Sequence, residues 1–241
     1  METISFIALS KMTAMRRNLS VIANNMANLN TTGYQTETPI FKEYLVKTSP
    51  KNSISYVQDI GAWHDTTPGG FRFTGSKFDL AIKGDGYFSV QTQGGTKYTR
   101  NGHFTVDADG RIVTQNGQPL LSGGAPIIIG PNDKNIHISK DGVVSSENGQ
   151  IGQIEVVDFD DKQGLKKEAG SLYTADATSP KTAENYSISQ GYLETSNVKA
   201  VTEMTKMMAV TRSYETMKNA VDREDERVRQ MIRTFSQTAR Q

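Results

Sequence analysis

The stretch that decides the fold is VTEMTKMMAVTRSYETMKNAVDREDERVRQMIRTF, residues 201–235, in which apolar side chains recur at helical spacing. Residues 12–29, MTAMRRNLSVIANNMANL, show the same spacing near the other end of the chain. Such spacing aligns the side chains along one seam of an α-helix, and a seam is buried only against another helix. The terminal helices are therefore predicted to pair, with each other or with another copy, through Met12, Met15, Leu19, Ile22, Met26, Leu29, Met207, Val210, Tyr214, Met217, Val221, Val228, Met231 and Phe235.

The ends of both helices carry recognisable signals. The first helix is predicted over about 3–29, and Asn30-Thr-Thr-Gly33 terminates it, because Asn and Gly adopt the left-handed conformation found at helix ends. The second is predicted over 198–235, with Ser196 or Asn197 as its N-cap. At 1.5 Å per residue it would be roughly 57 Å long, so it needs other long helices beside it.

Two features modify the C-terminal seam. Met204, Met207 and Met208 widen it, and methionine adapts to irregular contact surfaces. Glu224 interrupts it, at a position where burying a lone carboxylate would be costly. Either the helix leaves the packed region at Glu224, or a basic partner lies nearby.

Asparagines cluster at the end of the first helix, at Asn24, Asn25, Asn28 and Asn30. One interpretation is a helix terminus whose amides bond exposed carbonyls. The other uses the fact that Lys11, Asn18 and Asn25 fall on one track beside the seam, where amide hydrogen bonds to a neighbouring helix would fix its register. The residues alone leave both open.

The middle of the chain is punctuated by turn signals at regular intervals, among them Gly94-Gly95, Asp109-Gly110, Asn116-Gly117 and Asn148-Gly149. Short alternating or apolar runs lie between them, which is typical of an all-β domain of hairpins. These runs include 87–90, 103–106, 126–129 and 154–157. Residues 46–70 are polar with little periodicity and are predicted to be a linker carrying one or two weak strands.

The predicted fold class is therefore α+β, a mainly-β central domain of hairpins flanked by long terminal helices that pair into a coiled-coil-like bundle. The predicted segments are 1–45, an N-terminal helix and assembly segment; 46–70, a linker; 71–190, the central β domain; and 191–241, the C-terminal helix.

Composition excludes several classes of function. The formal net charge is +1, with 27 basic and 26 acidic residues, so we expect no nucleic-acid partner. The chain has no cysteine, which excludes disulfides, thiolate metal sites and thiol catalysis. No segment approaches the roughly 20 apolar residues of a membrane span, so we expect no direct membrane insertion. If the chain is exported, we expect a route without a cleaved signal peptide.

Candidate chemical motifs are better explained as turns. Asp107-Ala-Asp109-Gly110 resembles the start of a calcium loop but lacks the further acidic ligands. Gly84-Asp85-Gly86 is not followed by the Lys-Ser or Lys-Thr of a phosphate loop. His64, His103 and His137 lack metal-ligand spacing. We predict no catalytic residues, no metal, no cofactor and no small-molecule substrate, and we predict that the protein is not an enzyme.

Several segments, in order along the chain, resemble the bacterial flagellar rod and hook protein family. The first is 21–34, VIANNMANLNTTGY, and the others are 79–88, DLAIKGDGYF, 98–107, YTRNGHFTVD, and 190–198, QGYLETSNV. The run 203–208, EMTKMM, with 212–215, RSYE, completes the pattern. The resemblance places a family signature on Asn24, Asn25, Ala27, Asn28, Thr32, Gly33, Asp79, Gly84, Asp85, Gly86, Tyr98, Arg100, Asn101, Gly102 and Phe104.

This resemblance implies a structural protein of the flagellar basal body, exported through the flagellar type III apparatus and polymerised with itself and sister rod proteins into the shaft that crosses the periplasm. In the family, paired terminal helices form the inner tube and the β domain an outer layer. The opening 1–9, METISFIAL, and the run 40–45, IFKEYL, look most like a proximal rod protein. A distal rod protein, an oligomeric β-domain module that binds cell-wall polysaccharide, and an enzyme acting on cell-wall sugars are the alternatives. Gln35 and residues 46–70 depart from the family pattern.

Overall fold

A computed structural model describes residues 2–49, 52–176 and 178–238, with side chains described for 6–45, 55–176 and 178–234. Two long helices flank a mainly-β central region, as predicted. They are α1 (Glu2–Ala27) and α2 (Ala200–Thr238), close to the predicted bounds. A single 3-10 turn within the described residues spans Lys162–Gly164.

The strands of the central region are mostly short. They are β1 (Glu37–Ser49), β2 (Asn52–His64), β3 (Phe71–Phe73), β4 (Leu80–Gly84), β5 (Tyr87–Thr92), β6 (Gly95–Thr99), β7 (Phe104–Val106), β8 (Ile112–Thr114), β9 (Leu121–Ser122), β10 (Ala125–Pro126), β11 (His137–Ile138), β12 (Val143–Ser146), β13 (Gly149–Gln153), β14 (Val156–Asp158), β15 (Lys166–Glu168), β16 (Leu172–Thr174), β17 (Lys181–Thr182), β18 (Tyr186–Gln190) and β19 (Tyr192–Glu194).

The chain groups into two compact units. Unit 1 contains the described residues within 1–27, 37–63 and 199–241, and unit 2 contains 28–36 and the described residues within 64–198. Each unit is therefore built from segments that are distant in sequence. The predicted boundaries at 45, 70 and 190 stay a prediction, because they divide the chain in sequence order and the contacts do not.

Unit 1 consists of α1, α2 and the sheet formed by β1 and β2. Both helices contact each other, and α1 also contacts β1. The strands β1 and β2 are each 13 residues long and pair with each other. Most of β1 lies in the predicted N-terminal segment 1–45, and β2 lies within 46–70, where a linker with one or two weak strands was predicted. Most of the side chains described in this ribbon, within 37–45 and 55–64, are exposed, so they lack the alternation that a buried face imposes. Residues 65–70 do lack a strand, as a linker would.

Unit 2 is built around a six-stranded sheet with the order β15-β16-β6-β5-β14-β17, and its paired strands are antiparallel. The main core packs apolar residues from many strands, and at its centre the rings of Phe88 and Phe104 meet edge to face at 5.3 Å. A second core on the other side of the sheet joins Tyr87, Tyr98 and Phe159. The short strands thus fold cooperatively through shared burial, since none of them could be stable alone.

One predicted strand is largely irregular. The run 126–129 was predicted as a strand, but β10 includes only Ala125–Pro126. Ile127 and Ile129 are nevertheless buried, and their amides donate to Leu120 O at 3.1 Å and to Gly110 O at 2.7 Å. Pro126 has no backbone N–H to donate to a neighbouring strand. The backbone amides that follow it therefore bond to carbonyls in two different parts of the chain instead of to one partner strand.

Candidate assembly site

The predicted seams lie on the buried sides of both helices. In α2, half-buried positions recur at the predicted spacing, and the residues between them are exposed apart from Thr211 and Glu224. In α1, Ile22 is fully buried and the other predicted positions are half-buried. Leu29 lies in unit 2, beyond the end of α1. The half-buried seam residues are Met12, Met15, Leu19, Met26, Leu29, Met207, Val210, Tyr214, Met217, Val221, Val228 and Met231, and the side chain of Phe235 lies outside the described residues.

The methionines that were predicted to widen the C-terminal seam divide between two faces of α2. Met207 lies in the half-buried seam, whereas Met204 and Met208 are 52% and 54% exposed. Val201, one turn before Met204, is also exposed. These three residues form a second apolar stripe over the first turns of α2, and the widening of the seam by Met204 and Met208 stays a prediction about contacts with further helices.

Glu224 has a basic partner within α2. Its carboxylate accepts hydrogen bonds from Arg227 Nη2 at 2.6 Å and from Arg227 Nε at 2.8 Å. The bonds from Arg227 lower the pKa of Glu224 below its ordinary value. Of the two alternatives for this interruption of the seam, the structure shows the basic partner, supplied by the next turn of the same helix.

Asn25 joins three elements of unit 1. Its side chain is 1% exposed, and its amide nitrogen donates to Glu37 O on β1 at 2.8 Å and to Glu203 Oε2 on α2 at 3.1 Å. Its carbonyl oxygen accepts from Glu37 N at 3.1 Å. Lys206 Nζ lies 2.7 Å from the other carboxylate oxygen of Glu203 and balances the buried charge. Asn25 therefore bonds a neighbouring helix, as the register interpretation required.

The other asparagines of the cluster have different roles. Asn28 Oδ1 accepts from Thr31 Oγ1 at 3.0 Å in the turn that follows α1. Thr32 is half-buried, and Asn24 and Ala27 are exposed. Asn25 thus makes the interhelical contact, and Asn28 lies in the turn that follows α1, while the bonding of helix-end carbonyls by these amides stays a prediction.

Residues 28–36 are held against the rest of unit 2 by two features. Gly33 has φ +64° and packs so closely that a Cβ there would lie 2.5 Å from the carbonyl carbon of Arg100. Asn197 Oδ1 accepts from Thr36 N at 2.8 Å, and Asn197 Nδ2 donates to the carbonyls of Asp65 and Thr67. Ser196 or Asn197 was predicted as the N-cap of α2, but α2 begins only at Ala200. Asn197 instead ties three segments of chain together, and Ser196 Oγ accepts from Val198 N at 3.2 Å.

Arg100 and Glu194 form an ion pair buried at the centre of this region. Their side chains are 4% and 2% exposed, and Arg100 Nε lies 2.9 Å from Glu194 Oε2. The guanidinium also donates to the carbonyls of Ile82, Gly84 and Gly86. Burial raises the pKa of Glu194 above its ordinary value, and the charge of Arg100 partly opposes that effect. The pair was not predicted, because only Arg100 belonged to the family signature.

The remaining signature residues shape the same part of unit 2. Asp79 is buried and accepts from Thr74 Oγ1, and its other oxygen lies 2.6 Å from His103 Nδ1. Gly102 packs against β4, where a Cβ would lie 1.6 Å from Leu80 O. Tyr98 and Phe104 are buried in the two cores, Asn101 Oδ1 accepts from His103 N, and Asp85 is exposed and paired with Lys162. Asp79, Tyr98, Gly102 and Phe104 are thus part of the packed interior of unit 2.

Gln35, which departs from the family pattern, is buried at 3% exposure. Its side-chain oxygen accepts from Tyr87 Oη at 3.3 Å, and its backbone carbonyl accepts from Lys167 Nζ at 3.3 Å. Lys167 Nζ also lies 3.5 Å from the ring centroid of Tyr34, a cation–π geometry. A neutral amide fits this site because Lys167 already supplies a positive charge there.

Asp107 and Asp109 form a turn stabilised by Arg111. Asp107 accepts from the backbone amides of Asp109 and Arg111, at 3.0 and 2.8 Å. Arg111 Nε and Nη2 contact Asp107 and Asp109, each at 2.7 Å. Within the described ranges, no group of three or more His, Cys, Asp or Glu side chains is placed to hold a metal ion. In the same part of the chain, neither helix has a stretch that is long and apolar enough to cross a membrane.

Unit 1 also exposes large apolar side chains outside the seams. Phe6 and Leu9 on α1 are 56% and 59% exposed, and they line a groove between α1 and β2 together with Val57. Arg17 and Asp59 form an ion pair at 3.2 Å on the rim of this groove. Exposed apolar surface of this kind is typical of an interface with another protein.

Three flagellar family profiles match successive parts of the chain. Residues 7–35 match the flagella basal body rod protein family, 81–146 match the D1 domain of flagellar hook proteins FlgE/F/G, and 189–234 match the C-terminal region of flagellar basal body rod FlgEFG proteins.

Full-length relatives carry rod-protein names. The chain is 37% identical to the flagellar basal-body rod protein FlgF of Caulobacter vibrioides, with 92% of this chain and 93% of the relative covered. It is 34% identical to FlgF of Rhizobium meliloti, with 89% and 90% covered. It is 32% identical to the flagellar basal-body rod protein FlgG of Agrobacterium fabrum, with 91% and 94% covered.

Proposed function

We propose, since this chain belongs to the family of flagellar basal-body rod proteins, that its terminal helices polymerise into the wall of the rod. The protein is a structural component of the flagellar basal-body rod and not an enzyme. We infer from the family that other rod proteins are its partners. The mode of polymerisation is the part we propose.

The observation that carries the proposal is the pair of helical seams. A continuous stripe of half-buried residues runs along α2, and α1 contacts this helix within unit 1. The bond from Asn25 near the end of α1 to Glu203 near the start of α2 supports an antiparallel arrangement of the two helices. We infer that the two helices pair as a coiled-coil-like unit, and that further helices from neighbouring copies cover its exposed apolar residues.

The mechanical consequence follows from burial. When helices bundled through apolar seams slide or twist past each other, they expose apolar area at roughly 25 cal/mol per Å² over many contacts at once. A shaft built in this way resists torsion, which a rod that transmits torque requires.

Export and position in the rod are also proposals. We infer export through the flagellar type III apparatus without a cleaved signal, from the resemblance carried by residues 21–34. We infer a place in the proximal rod, which crosses the periplasm, from residues 1–9 and 40–45, with a distal position as the alternative.

The test is a deletion strain complemented with the tagged chain. Basal bodies would be purified and separated into rod and membrane-ring fractions, and the chain would be identified by mass spectrometry. We expect it in the rod fraction, and a strain lacking it should fail to complete the rod. Recovery outside the rod, together with normal rods in the deletion strain, would contradict the proposal.

A second candidate function, binding of cell-wall polysaccharide, is favoured by exposed aromatic rings on unit 2. Phe71, Phe73 and Tyr192 are 39%, 68% and 38% exposed on the paired strands β3 and β19. The rings of Phe73 and Tyr192 lie 5.2 Å apart, and Lys83 Nζ lies 5.9 Å from the centroid of Phe71. Sedimentation of the purified chain with insoluble peptidoglycan tests this function. Binding that disappears in Phe73→Ala would support it, and no binding by the unaltered chain would exclude it.

A further inference from the structure

Three Asn-Gly pairs occur in the chain, Asn101-Gly102, Asn116-Gly117 and Asn148-Gly149. Glycine has no Cβ, so its backbone nitrogen can approach the side chain of a preceding asparagine closely. The backbone nitrogen of any other residue is held further away by its own side chain. The structure gives the three pairs different surroundings, which allows their chemical reactivity to be ranked.

Asn116 is the least restrained of the three asparagines. Its side chain is exposed and makes no hydrogen bond within the described residues. Gly117 has φ +78°, and the space around its missing Cβ is open to 4 Å. The amide of Gly117 donates to Thr114 O at 2.9 Å, and this bond closes a surface turn. Only that turn has to open for the backbone nitrogen to become free, and such local openings have a low free-energy cost.

Asn148 is restrained through its side chain. Its Nδ2 donates to Asp133 Oδ1 at 2.9 Å and to Asn132 O at 3.2 Å. The bond from Asn148 is also the main cause of a lowered pKa at Asp133. Gly149 begins β13 and pairs with Ser146. The side-chain amide of Asn148 would have to break its bonds to Asp133 and Asn132 before Asn148 Cγ could turn toward the backbone nitrogen of Gly149.

Asn101 is restrained through the backbone that follows it. Gly102 is buried and packs closely on Leu80 O, and its own carbonyl accepts from Leu80 N at 2.9 Å, so its backbone is held against β4. Asn101 Oδ1 accepts from His103 N at 3.0 Å. Attack on this side chain would require β4 to separate from residue 102, which disrupts the main core of unit 2.

We propose that Asn116-Gly117 is a site of spontaneous deamidation in the folded protein. The nitrogen of Gly117 loses its proton to solvent base and forms a bond to Asn116 Cγ. The bond from Asn116 Cγ to Nδ2 then breaks, and Nδ2 takes up a proton and leaves as ammonia. Water then adds to either carbonyl of the resulting succinimide ring and opens it to aspartate or to an isoaspartyl linkage, without any change of oxidation state.

The product changes a defined patch of surface. Asn116 lines a polar groove with Gln91, Lys97 and Gln118. Deamidation places a carboxylate in this groove and lowers the formal net charge from +1 by one. The isoaspartyl form lengthens the backbone, and this disrupts the bond from Thr114 N to Gln118 O, now 2.9 Å long.

The test compares the three sites in the full-length chain. The protein would be incubated in mildly alkaline buffer made with ¹⁸O water, native and in concentrated urea, and mapped by mass spectrometry with fragmentation that distinguishes isoaspartate. In the native protein we expect Asn116 to convert several-fold faster than Asn148, with Asn101 unchanged. In urea the three rates should converge.

Gly117→Ala is the matched control. A methyl group fits the open space at this position, although its φ is strained, and it should slow conversion at Asn116 while leaving the other two sites unchanged. Equal native rates at all three sites would overturn the proposal. So would slower conversion of Asn116 than of Asn148 in the folded chain.

Discussion

At the scale of single residues, the Arg100–Glu194 pair places two opposite charges in the interior beside the Gly33 turn. We expect Arg100→Met to lower the free energy of unfolding by about 3–5 kcal/mol at neutral pH, because Glu194 would be left buried and charged without its partner. Urea unfolding measures this loss. Arg100→Lys keeps the positive charge but loses the several donors of the guanidinium group, and it should lower the free energy of unfolding by less.

The stability lost in Arg100→Met should depend on pH. The pKa of Glu194 is raised by burial, so the folded state binds a proton more readily than the unfolded state does. The stability from this group is present at low pH and is lost as pH rises through the raised pKa. Without Arg100 the pKa of Glu194 in the folded state should rise further. The free energy of unfolding lost in Arg100→Met should therefore shrink as the pH falls and Glu194 takes up a proton. A penalty that grows on acidification would contradict this reasoning.

The carboxylates of Asp107 and Asp109 are occupied by Arg111 and by backbone amides. We therefore expect calorimetric titration with calcium to show no heat from a specific site, since this turn has too few free oxygen ligands. Tight calcium binding that disappears in Asp109→Ala would show that the turn is a metal loop after all.

At the scale of elements, Asn25 holds α1, β1 and α2 together through one side chain. Asn25→Ala should destabilise unit 1 by about 1–3 kcal/mol, because the backbone groups of Glu37 and the carboxylate of Glu203 would lose a buried partner. Thermal unfolding followed by the helical circular-dichroism signal measures this effect. Asn18→Ala is the control, since Asn18 lies on the same track of α1. Equal losses in the two variants would mean that the contacts of Asn25 have no special role.

The elements differ in how far the sequence could predict them. The two helices were predictable because their seams repeat over many turns, and the hairpins of unit 2 because Asp109-Gly110 and Asn148-Gly149 mark tight turns. The strands β1 and β2 were not, since an exposed ribbon has no buried face to impose alternation. The partners of Gln35 and Glu194 also escaped prediction, because they lie 52 and 94 residues away along the chain.

At the scale of the whole molecule, both ends of the chain contribute to one unit, and unit 2 also combines distant segments. The rod assignment was accessible from sequence because the matching segments occur in order along the chain. Their surroundings were not accessible, since the family signature does not state which residues are buried together. Asn25, Gly33 and Arg100 all prove to be buried, whereas Asn24 and Asp85 are exposed.

The seams are central to polymerisation and can be tested by single charges. Leu19→Asp and Met217→Asp each place an unpaired carboxylate in a half-buried helical seam of unit 1, which costs several kcal/mol. We expect both variants to prevent rod assembly and swimming. The folding of unit 2 should be unaffected, because neither residue belongs to that unit. Arg16→Asp, on the exposed side of α1, is the control for added negative charge and should swim normally.

The most direct measurement is the fraction of complete rods in basal bodies purified from strains carrying Met217→Asp or Arg16→Asp, with the thermal unfolding of unit 2 recorded in parallel. We expect no complete rods with Met217→Asp, complete rods with Arg16→Asp, and the same unfolding temperature for unit 2 in both. Complete rods and normal swimming with Met217→Asp would contradict the claim that the terminal seams build the polymer.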